Sequence, residues 1–264
     1  MMARKPLSRE PGRLRRLIDL RREGADIVVG WLEDDFHHFG MSLQHDGNRV
    51  TDVRAVTLRY PWSTCPGAVE PVRALIGQRL LSRASDIGRV LEMRLQCTHL
   101  FDLAGLTLAH AASRRKHRRY EVLVEDPEIL AWDEVRGRPS LLGPSTAVLL
   151  RDGHEVLRWV CQNQRITTPS WYAGQSLQRG FREWTQSLPE QESEYATVLR
   201  RALMVSTGRL TDMSQYPTAE SIGMAAVCHS YQPERNKQAA NFSHLQKDYA
   251  QSADGMLSQL DVIP

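Results

Sequence analysis

The sequence predicts an α+β fold in which antiparallel β-strands and hairpins pack against helices. Two Asp-Gly turns, Asp46-Gly47 and Asp152-Gly153, each lie between segments rich in alternating or β-branched apolar residues, which is typical of hairpins. Segments around residues 98–113 and 195–203 carry apolar residues at helical spacing. Together these patterns predict strands early in each half of the chain and helices after them.

In the first half, residues 1–22 have the composition of a basic, polar lead-in. Strands are expected at 27–31, 36–43 and 50–60, the last two joined by the Asp46-Gly47 turn. Pro66 and Gly67 then predict the start of a helix, because apolar residues recur on one face up to Leu80. A second helix is expected from Thr98, its predicted N-cap, to Ser113, which closes an α+β half over residues 23–113.

The basic run at 114–119 predicts a boundary, and a second α+β half is expected over residues 119–232. It contains a strand from Tyr120, the second hairpin and a helix near 195–203, and Thr218 is a predicted helix entry. Residues 233–264 form a polar tail expected on the surface. Leu43, Asp46, Gly47 and Val50 align with Leu149, Asp152, Gly153 and Val156. This match fits either a diverged repeat or two unrelated Asp-Gly hairpins, since any such hairpin between apolar strands shows the same pattern.

The composition excludes several classes of function. The formal net charge is +3 over 264 residues, which gives no electrostatic argument for nucleic acid. No apolar run approaches the roughly 20 residues that a membrane span requires, and the basic N-terminus lacks the pattern of a secretory signal. The four cysteines are far apart, with no Cys-x-x-Cys pair, which favours reduced thiols in the cytoplasm.

Motif searches give no cofactor. The sequence has no Gly-rich phosphate loop, no G-x-G-x-x-G and no G-x-S-x-G. Zinc sites in proteins use paired ligands at short spacing, whereas this chain offers only Cys97-x-His99 and the Cys228-His229 dipeptide. We therefore expect neither a cofactor nor a metal.

The stretch "QCTHLFDLAG" at 96–105 carries the best candidate chemistry. His99 and Asp102 are three residues apart on one helical face, so the carboxylate can orient the imidazole as a general base. Cys97 lies at a helix N-terminus, where the pKa of a thiol is lowered. The alternative is structural: Cys97 a small buried residue, His99 a residue of the first turn and Asp102 a partner of the helix dipole.

Adjacent histidines occur in "DDFHHFGMS". On a strand His37 and His38 point to opposite faces, so only one can join a given site. His37 shares its face with Phe39 and Met41, which is also the pattern of a hydrogen-bonded core histidine.

Four motifs together resemble the uncharacterised bacterial domain-of-unknown-function family 2889. They are His37-His38-Phe39, Pro61-Trp62-Ser63-Thr64-Cys65, Leu75-Ile76-Gly77 and the run from Cys97 to Leu103, and the resemblance covers about residues 14–112. The sequence departs from the family pattern at His38, where the family has Asp, and at Phe39. The resemblance implies no established reaction, but polar motif residues from three separate segments favour a shared site.

From these observations we expect an enzyme without a cofactor that performs acid/base chemistry on a small, largely apolar organic or aromatic acid. The reaction would be of the lyase, hydratase, decarboxylase or isomerase type, with His99 as acid/base, Asp102 orienting it and His37 polarising the substrate. Expected substrate-binding residues are Trp31, His38, Phe39, Trp62, Cys65, Cys97 and Trp171. The alternative is a non-catalytic binding or assembly protein. Expected partners are the small substrate and a second copy of the chain, and no nucleic acid or membrane.

Overall fold

The computed structural model describes residues 11–113, 115–224 and 227–264. They divide into two compact units, neither of which is continuous in sequence. The site unit comprises Leu17–Arg119, Tyr216–Lys247 and Gly255–Pro264. The companion unit comprises the described residues up to Arg16, Tyr120–Gln215 and Asp248–Asp254. Residues 216–247 and 255–264 therefore belong with the first half of the chain, a grouping that differs from the predicted consecutive segments.

The site unit contains an antiparallel meander of four strands, to which the first strand contributes Leu17–Glu23. They are β1 (Arg13–Glu23), β2 (Ile27–Glu33), β3 (His38–His45) and β4 (Val50–Arg59), and β2 pairs with β1 and β3, while β3 pairs with β4. The three strands expected at 27–31, 36–43 and 50–60 are confirmed. Gly47 has φ +95° in the turn between β3 and β4, as the Asp-Gly sequence predicts.

The predicted lead-in is wrong for residues 13–22, which form strand β1. Arginines dominate this stretch and suggest a solvated segment, but Leu17, Ile18 and Leu20 between them are buried. Asp19 is buried as well, and its Oδ2 lies 2.8 Å from His117 Nε2. Pairing with β2 supplies hydrogen-bond partners for the backbone groups on that edge, so the basic composition does not prevent this stretch from forming a strand. Residues 1–10 of the lead-in lie outside the described residues.

Helix α1 (Thr98–Ser113) confirms the predicted helix and packs on one face of the meander. A Cβ on Gly30 of β2 would lie 2.7 Å from Thr107 Oγ1 and 3.1 Å from Leu103 Cδ1. Only glycine therefore allows the helix to approach the strand this closely. Since alternate residues of a strand share a face, Leu32 and its pairing partner Phe39 lie on the helix side of the sheet.

The helix predicted from Pro66 to Leu80 is wrong. The structure has two 3₁₀ segments instead, Cys65–Val69 and Pro71–Leu75. Pro71 carries no backbone N–H and cannot continue an α-helix from the preceding turn, and the segment ends at Gly77 with φ +84°. Further 3₁₀ segments lie at Ala84–Arg89 and Met93–Leu95.

The opposite face of the meander is covered by residues 255–264. The Leu257 N–H donates to Glu33 Oε2, the Trp31 indole N–H donates to the Val262 carbonyl at 3.2 Å, and Ser42 Oγ donates to the Pro264 carbonyl at 2.7 Å. Leu257 is buried. The predicted tail thus includes a structured segment of the site unit. The predicted helix entry at Thr218 leads only to short 3₁₀ segments, Glu220–Ile222, His229–Tyr231 and Ser243–Leu245.

The companion unit has the predicted second hairpin, β8 (Ser145–Arg151) and β9 (His154–Gln162), with positive φ at Asp152 and Gly153. Strand β5 (His117–Glu125) pairs with β8, and β10 (Arg165–Thr168) pairs with β9. A separate hairpin is formed by β6 (Ile129–Asp133) and β7 (Arg138–Leu142). Helices α2 (Phe181–Ser187) and α3 (Glu190–Ser206) follow.

The apolar stripe expected on the helix near 195–203 is confirmed on α3. Its members are buried: Tyr195, Val198, Leu199, Ala202 and Leu203. The strands and helices together confirm the α+β class. The proposed duplication of the two halves stays a prediction. No helix among the described residues is long and apolar enough to cross a membrane.

Candidate functional site

The site begins in the tight turn of residues 34–37 between β2 and β3. The Asp34 N–H donates to the His37 carbonyl at 2.8 Å. In return, Asp34 Oδ1 accepts the backbone N–H of Phe36 at 2.8 Å and of His37 at 2.9 Å. Asp34 is fully buried. Its carboxylate therefore closes the turn in the manner of an Asx turn.

The same carboxylate oxygen also holds the His37 ring. His37 Nδ1 lies 3.0 Å from Asp34 Oδ1. An ionised carboxylate only accepts hydrogen bonds, so Nδ1 carries the proton of this pair. A carboxylate on one ring nitrogen fixes both the tautomer and the orientation of a histidine, and it stabilises the imidazolium form. The sequence contains this pair as Asp34-x-x-His37, in an acidic stretch that fits either a solvated turn or a source of a carboxylate.

His99, in the first turn of α1, stacks on His37. The ring centroids are 3.7 Å apart, and the planes are inclined by 27°. Phe39 on β3 contacts both rings edge-on, with centroid distances of 5.4 Å to His37 and 6.1 Å to His99. Both histidines are buried. The predicted proximity of His37 and His99 is therefore present as direct ring contact.

The stacking limits the charge that the two rings can carry. At an effective dielectric constant of about 20, two unit charges roughly 4 Å apart repel by about 4 kcal/mol. The pair therefore holds one imidazolium far more readily than two. The Asp34 carboxylate oxygen, 3.0 Å from His37 Nδ1, favours His37 as the ring that carries the charge.

Cys97 orients His99 from the start of α1. The Cys97 carbonyl accepts the Phe101 N–H at 2.9 Å, so Cys97 is the N-cap and Thr98 the first helical residue, one position earlier than predicted. Cys97 Sγ lies 3.7 Å from His99 Nδ1.

The prediction of an activated thiol at Cys97 is wrong. Complete burial raises the pKa of the Cys97 thiol far above its ordinary value, and this outweighs the hydrogen bonds from the helix N-terminus. Burial likewise raises the pKa of Cys65 to about 12, and its Sγ lies 3.4 Å from Ser230 Oγ. Both thiols stay protonated at neutral pH, so neither is an effective nucleophile.

Asp34, His37 and His99 also have the composition of a metal site. Each offers one ligand atom, and these atoms all lie within 4.8 Å of one another. Two imidazoles and one carboxylate form a ligand set that binds Fe, Zn and other transition metals in proteins. The sequence did not predict this set, because its members come from a turn and a helix 62 positions further on, and short-spacing rules do not detect them.

His38 lies on the other face of β3, against Trp31 and Glu33. Its Nδ1 is 3.6 Å from Glu33 Oε2, and its ring centroid is 5.4 Å from that of Trp31. Glu33 Oε1 accepts from Arg59 Nη1 at 2.9 Å, and Arg59 Nη2 donates to the Asp34 carbonyl. Burial lowers the pKa of His38. This second polar group lies beneath the segment 255–264 and supports the turn that holds Asp34.

The remaining predicted residues occupy different places. Trp62 is buried and contacts Tyr231 edge-on at 5.8 Å between ring centroids. Asp102 is half-buried on α1, and its predicted role beside His99 stays a prediction. Trp171 belongs to the companion unit and is 76% exposed. His37 and His99 were thus predicted as site residues, whereas Asp34, the carboxylate that contacts the His37 ring, was not.

Residues 25–113 match the family model described as "Protein of unknown function (DUF2889)". Over this segment the chain resembles the DUF2889 family. The DUF2889-like segment contains Asp34, His37, Cys65, Cys97 and His99, so the whole histidine cluster lies inside the matched region. No curated protein matches the chain.

Proposed function

We propose that the protein is an enzyme that performs acid/base chemistry on a small, largely apolar organic acid, of the lyase, hydratase, decarboxylase or isomerase type. The observation that carries the proposal is the stacked pair of His37 and His99 with Asp34 bonded to one ring. A pair that holds a single extra proton supplies both an acid and a base near neutral pH.

The roles follow from the contacts. His37, held as the cationic ring by Asp34, donates a hydrogen bond that polarises a carbonyl or carboxylate of the substrate. His99, the neutral ring, moves the proton to or from carbon. Phe39 contributes the apolar contact beside both rings. Because burial weakens the hydration of these groups, each hydrogen bond inside the site is stronger than it would be in water.

Hydrogen–deuterium exchange tests the proposal without knowledge of the complete reaction. The protein is incubated in D₂O with arylacetic, 2-oxo and 3-oxo acids, and ¹H NMR follows the loss of the C–H signal next to the carbonyl. We expect the wild type to accelerate exchange of at least one class and His99→Gln to lose about 100-fold or more of that rate. His154→Gln is the matched control, because His154 is exposed in the β8–β9 hairpin.

Exchange by His99→Gln at the wild-type rate would contradict the proposal, as would an inert wild type with every acid tested. If His99→Gln and His37→Gln both fail to fold, the histidines are structural. That outcome would favour the alternative of a non-catalytic binding or assembly protein.

A second candidate function is a metal centre, favoured by the ligand atoms of Asp34, His37 and His99 within 4.8 Å of one another. Elemental analysis of purified protein and calorimetric titration with Zn²⁺ test it. A stoichiometric metal that is lost in His37→Gln would favour this function over metal-free acid/base chemistry. Binding that persists in the variant would place the ion elsewhere.

We further propose that the protein acts in the bacterial cytoplasm on a small-molecule catabolite, as a homo-oligomer and without nucleic-acid or membrane partners. None of its four cysteines, all of them described, forms a disulfide, which suits a reducing compartment. Light scattering of the purified protein measures the oligomeric state directly.

A further inference from the structure

A separate cavity in the site unit has a volume of about 560 Å³, which is within the range of small-molecule sites. It lies where the end of α1 meets the turn that joins β3 and β4. Its described lining residues include Arg22, Ala25, His45, Leu80, Ala111 and Ala112. None of them belongs to the histidine cluster, and none of these described residues is acidic.

Arg22 is fixed in this cavity by its terminal nitrogens. Nη1 donates to the Ala25 carbonyl at 2.8 Å, and Nη2 donates to the Ala111 carbonyl at 2.9 Å. The third guanidinium nitrogen, Nε, is buried, and its N–H has no acceptor among the described residues. A buried donor without an acceptor costs roughly 1–3 kcal/mol. The guanidinium is therefore held in one place with a donor still to be satisfied.

His45 presents a second donor in the same cavity. The Gly47 N–H donates to His45 Nδ1 at 3.0 Å, so Nδ1 is an acceptor and the neutral ring carries its proton on Nε2. His45 is only 6% exposed, and its Nε2 has no partner among the described residues. Burial, followed by the charge of Arg22, lowers the pKa of His45, so the neutral ring dominates at pH 7.

The two nearby carboxylates, Asp26 and Asp46, already accept hydrogen bonds from neighbouring residues. Asp26 Oδ2 accepts from Gln44 Nε2 at 2.8 Å. Asp46 Oδ1 accepts the backbone N–H groups of Asn48 at 2.8 Å and Arg49 at 2.7 Å. Neither carboxylate lines the cavity, and both Arg22 and His45 retain a donor.

We propose that this cavity binds a small monocarboxylate, with one carboxylate oxygen on Arg22 Nε–H and the other on His45 Nε2–H. Two donors match the two oxygens of a carboxylate and are too few for phosphate, which has more oxygens and more charge to satisfy. Leu80 and the alanines 25, 111 and 112 contact the apolar part of the ligand. Both nitrogens are shielded from solvent, so binding includes a small rotation of the side chains that cover them.

The test uses the intact protein with benzoate, propionate and inorganic phosphate as probes. Calorimetry measures affinity, and ¹H–¹⁵N NMR follows the Arg22 Nε–H resonance. We expect saturable binding of a carboxylate, a downfield shift of that resonance, and at least tenfold weaker binding in His45→Phe and Arg22→Gln. Arg54→Gln is the matched control, because Arg54 is 71% exposed on β4.

Arg22→Gln loses two bonds to carbonyl groups and can fail to fold. Leu80→Trp, which fills the cavity from its apolar side, then serves as the second variant and is also expected to abolish binding. Three results would each overturn the proposal: no saturable carboxylate binding by the wild type, unchanged binding in His45→Phe and Leu80→Trp, or phosphate bound as tightly as the carboxylates. His99→Gln should leave this binding unchanged, which separates the proposal from that of the histidine cluster.

Discussion

At the scale of residues, the site depends on one carboxylate with several hydrogen bonds. Asp34 closes the turn through the N–H groups of Phe36 and His37 and also holds the His37 ring. His37 and His99 could be predicted as functional candidates because both are polar residues at motif positions of the resembled family. The sequence did not assign Asp34, because an Asp-rich stretch before a strand is equally typical of a solvated turn. Its burial follows from strand pairing and helix packing, which local spacing does not encode.

Replacing Asp34 by Asn separates the two roles of the side chain. The amide oxygen still accepts the backbone N–H groups, so the turn and the melting temperature should change little. The charge that favours a cationic His37 is lost, so the exchange of substrate C–H for deuterium should fall about 100-fold. The measurement is the D₂O assay beside thermal unfolding.

Asp46→Asn is the control for that variant, because Asp46 Oδ1 accepts two backbone N–H groups in an exposed turn outside the cluster. It should keep both activity and stability. Equal activities of Asp34→Asn and wild type would show that the charge of Asp34 has no part in the chemistry.

At the scale of elements, the hairpins and the two long helices could be predicted because turn chemistry and apolar spacing are local properties. Asp46-Gly47 and Asp152-Gly153 both adopt the expected turns. The structure after Pro66 could not be predicted in the same way. Its apolar residues recur at helical spacing, but Pro71 divides the segment into two 3₁₀ segments. Strand β1 was not predicted, because the many arginines indicated a solvated segment although the apolar residues between them are buried.

The contact between β2 and α1 predicts a large effect of a small substitution. A Cβ at Gly30 would lie 2.7 Å from Thr107 Oγ1 and 3.1 Å from Leu103 and Leu20. Overpacking of this kind costs about 1–3 kcal/mol, so Gly30→Ala should lower the free energy of unfolding measured in urea by that amount. Adding Thr107→Ala should restore part of it.

Gly143→Ala is the control for Gly30→Ala, because its nearest contact would be 3.5 Å from Glu128 Cβ. It should change stability by less than about 0.5 kcal/mol. An equal loss of unfolding free energy in the two variants would show that α1 and β2 are not packed as closely as described.

At the scale of the whole molecule, the chain returns to the site unit twice after leaving it, at 216–247 and 255–264. These returns bring Ser230 to Cys65 and Leu257 to Glu33. A sequence read as consecutive halves cannot predict them, because the contacts join residues more than 150 positions apart and depend on the completed fold.

Buried histidines make the stability of the folded protein dependent on pH. Burial and the charge of Arg118 lower the pKa of His110 to about 4, below the ordinary value of 6.5. The unfolded chain therefore binds a proton that the folded protein excludes, so this contribution is complete above pH 6.5 and is lost as the pH falls toward 4. It amounts to about 3 kcal/mol.

Urea unfolding of wild type and His110→Leu between pH 7 and pH 4 measures that contribution. The wild type should lose about 3 kcal/mol more than the variant over this interval. Parallel pH profiles of the two proteins would show that the pKa of His110 is not lowered in the folded protein.

The central claim is that His37 and His99 form one stacked pair that holds a single extra proton, located on His37 beside Asp34. ¹⁵N NMR of histidine-labelled protein at about pH 5.5 tests it most directly, because an unperturbed imidazole is mostly protonated there. We expect an imidazolium signal for His37 and a neutral ring for His99. Two imidazolium rings, or a proton held by His99 instead of His37, would contradict it.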